Sequence, residues 1–337
     1  MLGVTRCVEV EDGSFIYIDP AVNLTWPDTA AMVGTSRKLR TLHYDQNHIV
    51  TRDQADALVK DGYAYPIGGR LFEQPELCEA VFGWDLSTEL DFIATHISDP
   101  TGIRGIEFGC GTGRVLRPLN QRGFELDGVD ISEPGVRWLQ SKVIEDAQSS
   151  QRESPTIFMA DISSFSALNR YGYAIAALNT LRYLPSWASL RRHLHMAALS
   201  VRSGGVYLVM VDTRTESSEP TPDGSEGRWT INGDDGRSYT VAWSKERTDP
   251  ASMMDLERVI IAEDDTEILR EYQTQLSMPV DGWQKVFTES GEWEVASVHF
   301  DSPEGPVKLD DFASELNGNF WFVLRRTETT AAPMLTY

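Results

Sequence analysis

The chain has 337 residues, 41% hydrophobic and 10% aromatic, enough to fill a core for one large domain or two modest ones. Its 30 Lys+Arg against 51 Asp+Glu leave a formal charge of −21. An acidic surface of that size repels phosphate backbones and anionic lipid headgroups, which excludes nucleic acid and membranes as expected partners.

Three cysteines, Cys7, Cys78 and Cys110, lack the spacing of a disulfide framework or a zinc site. No run approaches the ~18 apolar residues of a membrane span, and the amino terminus lacks a secretion signal, so the cytoplasm is the expected compartment.

In chain order, "TRCVEV" and "FIYIDP" alternate around "EDGS", hairpin turn chemistry that predicts a small antiparallel unit within residues 1–20. "TRDQADALVK" has a Thr-x-x-Gln cap and an Ala/Leu/Val face, which predicts a helix from Thr51 to about Lys60. "WDLSTELDFIATHI" places Leu86, Leu90, Phe92, Ile93 and Ile97 near helical spacing, with Ser87 or Thr88 as cap. Strand-length apolar runs follow at 105–109, 125–130, 156–161, 173–179 and 205–212, the last after a helix predicted to end at Gly204-Gly205. Alternating strands and helices imply a Rossmann-like α/β fold with a mostly parallel sheet and helices on both faces.

Past Asp212 the polar "TESSEPTPDGSEG" predicts a loop. "YTVAWSKER", "MMDLERVIIAE" and "TEILREYQTQL" predict an antiparallel β meander, although the last two also suit partial helix. "DGWQKVFTESG" reads as a helix, and "WEVASVHFD" and "FWFVLRR" as closing strands of the main sheet.

Within this frame Gly109-Cys110-Gly111-Thr112-Gly113 joins a strand to a helix beginning near Arg114. In a βαβ unit such a turn lies at the carboxyl edge of the sheet, where ligands bind. A dinucleotide turn would carry a third glycine where Arg114 stands, and the Gly-x-x-x-x-Gly-Lys phosphate loop is missing, so neither phosphate reading is supported. A carboxylate at Asp130, at the next strand tip, suits both hydroxyls of a ribose. Asp161, one strand further, suits an exocyclic amine, with Ile162 against an aromatic base. Each carboxylate alone equally suits a helix cap. Together with the glycine turn, at three successive strand tips, they describe a nucleoside pocket.

At these residues the sequence resembles the class I S-adenosylmethionine-dependent methyltransferases of the small-molecule branch. "GIEFGCGTGRVLRPL" resembles their first motif, "LDGVDIS" their second-strand acid and "MADISSF" their adenine loop. "AIAALNTLRYLPSWASLRRHLHMAALSVRSGGVYLVMV" resembles their fourth strand, helix and fifth strand. The likeness is good over about 85–212 and looser to "FWFVLRR", and it implies a seven-stranded sheet.

The resemblance implies S-adenosylmethionine as cofactor. Gly109, Cys110, Gly111 and Gly113 would give its methionine half close backbone access, and Glu107 would orient the ammonium. Asp130 would take the ribose, Ile131 an adenine face, and Asp161 with Ile162 the adenine edge. Asn179 and Thr180 would face the methyl group and acceptor. The family's tyrosine ahead of the first core helix is replaced by "LCEAVFGWD", so Phe82 or Trp84 would cover the cofactor instead.

The implied activity is methyl transfer to an oxygen or nitrogen of a small organic molecule, in secondary metabolism. Catalytic candidates are Asn179, Arg182 and Tyr183, because "NTLRYL" leaves a strand at the ligand edge. No acidic cluster has metal-ligand spacing, so no metal is expected. Of the histidines, His193 and His195 sit two apart on a helix, so at most one reaches a site, while His43 and His48 fall in the N-terminal segment. Trp229, Trp243 and Tyr272 are candidates to wall an apolar acceptor.

The expected organisation is an N-terminal extension or lid (1–80), a cofactor-binding core (81–212), an inserted β unit serving as acceptor lid or interface (213–276), the rest of the core (277–327) and a tail (328–337). A homodimer is compatible with it. The alternatives are cofactor use without methylation, as in cyclisation or elimination, a non-catalytic partner subunit, and an oxidoreductase.

Overall fold

Strands buried on both faces dominate the sequence between residues 104 and 213, and the computed structural model assembles them into one central sheet. The residues described are 7–9, 15–18, 51, 53, 57, 64–67, 71–97, 102–150, 154–213, 227–233, 236–249, 253–309 and 317–328. His43, His48, the loop 214–226, the tail from 329 and most of the helix expected over 51–60 lie outside them.

Near the amino terminus Cys7–Glu9 (β1), Phe15–Ile18 (β2) and Ala64–Ile67 (β3) pair antiparallel, the first two as the hairpin pattern predicts. Pro75–Val81 (α1) starts with proline at its first helical turn, where no N–H is needed. Ser87–His96 (α2) has Leu86, not Ser87 or Thr88, at its N-cap position, with no side-chain cap there. Asp85 Oδ1 accepts from the Ser87 N–H at 3.0 Å.

The core then runs Arg104–Phe108 (β4), Leu116–Gln121 (α3), Glu125–Asp130 (β5), Glu133–Ser150 (α4), Ile157–Met159 (β6), Tyr171–Ala176 (β7), a 3-10 turn Thr180–Tyr183, Trp187–Ser200 (α5) and Val201–Thr213 (β8). Gly227–Asn232 (β9), Ser238–Asp249 (β10), Met254–Glu263 (β11) and Thr266–Leu276 (β12) follow. The chain closes with Val280–Glu289 (α6), Trp293–Ser302 (β13), Gly305–Lys308 (β14) and Gly318–Arg326 (β15).

The main sheet has the order β14-β13-β15-β8-β7-β4-β5-β6. Its half from β8 to β6 is parallel, and β15, β13 and β14 add antiparallel. This makes eight strands where seven were expected. The extra one, β14, has the sequence "GPVK", whose Gly and Pro read as loop and are tolerated because it lies at the edge.

One face of the sheet buries Phe108, Ala176, Tyr207 and Val209 under Leu190 and Leu194 of α5 and Trp283 and Phe287 of α6. The other buries Ile175, Leu208 and Met210 under Ile93 of α2, Leu119 of α3 and Leu139 of α4. Strand order reverses beside β4, which is flanked by β5 and β7, and in such sheets the carboxyl ends of the strands at the reversal are where ligands bind.

The double glycine does not end α5, which stops at Ser200. Tyr171 pairs with Val201 but Tyr173 pairs with Val206, and Gly204-Gly205 lie in that irregularity of β8. β9 to β12 form a separate antiparallel sheet in the order β12-β11-β10-β9, with no helix in the segments that also suited one. Its face bearing Tyr239, Val241, Val259, Ile261 and Leu269 packs on Leu71, Cys78 and Val81. Among the described residues no helix is long and apolar enough to cross a membrane.

Candidate active site

The turn after β4 is shaped by its first glycine. Gly109 has φ +71° and its N–H donates to the Val129 carbonyl at 2.7 Å, drawing the turn against β5. A Cβ there would stand 2.3 Å from Thr180 Cγ2, so only glycine allows the turns after β4 and β7 to touch. Gly111 also has positive φ, +49°, but a Cβ would meet nothing within 4 Å. It faces open space. Gly113 lies against Leu139, closing the turn onto α4. Cys110 is turned away from this edge of the sheet: its Sγ packs towards Gly128 in the core, so it offers a ligand only backbone.

Asp130 faces the same space. Its Oδ2 accepts from Gly111 N–H and its Oδ1 from Ser132 N–H, both at 2.8 Å, which fixes the carboxylate and leaves lone pairs on both oxygens. Burial nevertheless raises its pKa, against the lowering effect of those backbone donors. Next to it, Glu107 on β4 is 4% exposed and its Oε2 has no hydrogen-bond partner. Burial first, and then the charge of Asp130, push its carboxyl well above the ordinary range. A buried acid beside another acid, with an unused oxygen, is a site for a cation.

The β6 end is more open. The Ala160 N–H donates to the Asp130 carbonyl at 2.9 Å, so these strand tips adjoin. Asp161 is exposed, its Oδ1 accepting from Ser163 N–H at 2.7 Å, and Ile162 is buried. Ile131 is 68% exposed, an apolar side chain left open at the sheet edge.

At the β7 tip, Leu178 and Asn179 both adopt left-handed backbone, φ +51° and +66°. Asn179 is occupied with the sheet: its Oδ1 accepts from Asp212 N–H and its Nδ2 donates to Asn319 Oδ1 at 3.2 Å. Thr180 Oγ1 donates to the Ala177 carbonyl at 2.9 Å, and its methyl abuts Gly109.

Arg182, expected over the acceptor, is turned into the molecule instead. It is 2% exposed and bonds Asp212 at 3.2 Å, Asp255 at 3.5 Å, Glu257 at 3.1 Å and the Leu276 carbonyl at 2.9 Å. This places it as the clamp between the β7 turn, β8 and the appended sheet. Tyr183 stays half-buried, edge-on to Phe72 with centroids 5.3 Å apart. Burial, then the Glu257 charge, raise its phenol well above the ordinary range.

The histidine pair on α5 does not reach this edge. His193 is fully buried between the Ile162 carbonyl and the Tyr207 hydroxyl, and His195 pairs with Glu292.

Sequence periodicity missed the segment that ties these pieces together. Ser132 Oγ donates to the Phe72 carbonyl at 2.8 Å, and the Leu71 N–H donates to Glu271 Oε2 at 3.1 Å, so residues 71–72 span from the Asp130 edge to β12. Above them Phe82, Trp84, Trp229 and Trp243 form one aromatic cluster, and Phe72 stacks on Phe82. Tyr272 is not part of it and packs against the main core. Cys78 donates to the Leu71 carbonyl, and burial with the nearby Glu271 pushes its thiol up to about 12.

Glycine turn, strand-tip carboxylates and topological switch point come together at one edge of an α/β sheet, an arrangement that suits a nucleoside without phosphate. Residues 85–244 match a family model described as a methyltransferase domain. The fold is shared with the CcbJ methyltransferase from Streptomyces caelestis, at TM-score 0.53 and 19% identity over 71% of this chain and 88% of that one. CalS10, an amino pentose methyltransferase from Micromonospora echinaspora solved with S-adenosylmethionine, aligns at TM-score 0.55 and 16% identity over 74% and 97%. A methyltransferase from Clostridium acetobutylicum, dependent on the same cofactor, aligns at 0.56 and 12% over 74% and 95%. No curated protein sequence matches the chain.

Residues 85–244 thus carry a methyltransferase domain, in the fold of S-adenosylmethionine-dependent methyltransferases. The unpartnered Glu107 Oε2 and the glycine cradle fit that cofactor, which presents an ammonium and a sulfonium and no phosphate.

Proposed function

We propose that this protein transfers a methyl group to a nitrogen or oxygen of a small polar molecule in secondary metabolism, with nitrogen the favoured acceptor. In this reading Gly109 and Gly111 give the methionine half backbone contact and Glu107 takes its ammonium. Asp130 takes the ribose hydroxyls, Ile131 and Ile162 flank the adenine, and Asp161 accepts from its amine. The cofactor supplies an electrophilic methyl on sulfur. The protein's part is to align the acceptor in line with it, exclude water and receive the acceptor's proton.

The observation that carries the choice of acceptor is the buried polar cluster where β11 and β12 meet the turn after β7. Glu257 and Glu271 are 2% and 7% exposed and both act on Tyr183 electrostatically; Glu257 is bonded to Arg182 and Trp243, and Glu271 to the Leu71 N–H and Gln273. Gln273, paired with Glu257 across the strands, and Gln275, paired with Asp255, have side-chain oxygens without partners. Unused acceptors beside carboxylates and aromatic rings favour a donor-rich, cationic ligand, such as an amine on a hydroxylated ring. That CalS10 acts on an amino pentose supports the same reading. Residues 1–80 and 213–276 would then serve as the acceptor lid, with Arg182 locking the second of these to the core.

The test is methyl transfer from labelled S-adenosylmethionine to a panel of amino sugars, their hydroxyl counterparts and apolar phenols. Label should enter the amines, with S-adenosylhomocysteine formed in equal amount. Label confined to phenols would exclude the amine reading. Cofactor consumption without S-adenosylhomocysteine would point to non-methylating chemistry.

A further inference from the structure

Arg114 follows Gly113 directly, where a dinucleotide-binding turn would carry its last glycine. Two contacts to Trp84 orient its guanidinium. The Cζ lies 3.9 Å from the centre of the Trp84 ring, and Nη2 donates to the Trp84 carbonyl at 3.1 Å. Nη1 is buried and has no partner. Stacking and one carbonyl fix the plane of the group while leaving a donor edge unused, and an unused buried donor on a cation is costly unless a ligand completes it.

At the other end of the same turn stands Glu107, also with one buried oxygen unpartnered. No ion pair joins Glu107 to Arg114. A carboxyl and a guanidinium, each with one buried polar atom unpartnered, therefore bracket residues 109–113 in sequence. An α-amino acid end-group presents the matching pair, an ammonium and a carboxylate on one carbon.

We propose that Arg114 is the residue that recognises the carboxylate of the cofactor's amino-acid end, with Trp84 as the platform that orients it. The inference rests on the S-adenosylmethionine reading of the site and adds to it a determinant outside the glycine motif. Arg114 remains a cation at neutral pH, since burial lowers its pKa only to about 10, with the charges of Glu89 and Glu79 opposing. A planar, stacked donor fork suits a carboxylate better than a lysine ammonium does. Arg114 is thus a cofactor-positioning residue, and Trp84 acts through it.

The test is calorimetry of the full chain and of Arg114→Met and Arg114→Lys with three probes: S-adenosylhomocysteine, its decarboxylated analogue and 5′-methylthioadenosine. Wild type should prefer S-adenosylhomocysteine over the decarboxylated analogue by about 10- to 100-fold, the range expected for charge-assisted hydrogen bonds. Arg114→Met should lose that preference while binding 5′-methylthioadenosine within about threefold of wild type, and Arg114→Lys should recover part of it. An Arg114→Met variant that keeps the preference, or that weakens all three probes alike, would overturn the proposal. A wild type that binds 5′-methylthioadenosine but does not distinguish the other two would overturn it while leaving the nucleoside pocket intact. A wild type that binds none of the three would remove both.

Discussion

The backbone N–H of Gly111 donates to Asp130 Oδ2 at 2.8 Å, so the glycine turn after β4 and the acid at the tip of β5 form one unit. The turn aims the carboxylate, and the carboxylate holds the turn. Asp130→Ala removes both the proposed ribose acceptor and this tie. The expected loss in S-adenosylmethionine affinity is about 10- to 150-fold, from ~1.5–3 kcal/mol for hydrogen bonds to a charged group. Asp130→Asn should lose less. Calorimetry decides, and equal affinity in all three proteins would remove Asp130 from the site.

Glu107 offers a pH test whose sign is fixed by the direction of its shift. Its carboxyl is raised in the folded chain, so its contribution to stability is greatest below the unfolded value, ~4.3, and declines as pH rises towards the folded value. Glu107→Gln should therefore be more stable than wild type at pH 7, by roughly 1–3 kcal/mol, with the gain vanishing in acid. Binding should move the other way. A cation favours the ionised carboxyl, so S-adenosylmethionine should release a proton on binding and bind more weakly as pH falls. Melting curves against pH, with calorimetry in two buffers of different ionisation enthalpy, check both signs.

Gly109 and Gly111 should separate fold from function. Gly109→Ala drives a methyl to 2.3 Å from Thr180 in a left-handed conformation, so it should lower Tm. Thr180→Ala in the same chain should restore part of the loss, because the nearest atoms, Cγ2 and Oγ1, are removed. Gly111→Ala meets no protein atom and should cost only ~1–2 kcal/mol of backbone strain, while placing its methyl where the cofactor would lie. Its signature is a modest change in Tm with severe loss of cofactor binding.

Arg182 is expected to behave as a structural residue. Replacement by Met leaves Asp212, Asp255 and Glu257 facing one another without their shared cation. Breaking a buried ionic group in this way costs on the order of 3–5 kcal/mol. Thermal denaturation should show a large fall. A variant with unchanged Tm and a selective loss of turnover would return Arg182 to the list of catalytic residues.

What the sequence determined by itself is what depends on neighbours along the chain. Strands β4, β5, β8, β13 and β15 follow from short apolar runs, and the glycine turn and Asp130 from their fixed offsets at strand ends. The partners of Arg182 were hidden because they lie 30, 73 and 75 residues away on strands whose register no local pattern reveals. Its place after a strand gave the same outward reading whether it ended in solvent or in a buried ion cluster. The inward turn of Cys110, the stacking of Arg114 on Trp84 and the bridge from Phe72 to Ser132 likewise arise from contacts between elements brought together by packing. Only the tertiary structure decided them, because a side chain's partner is set by which surfaces the core forces to meet.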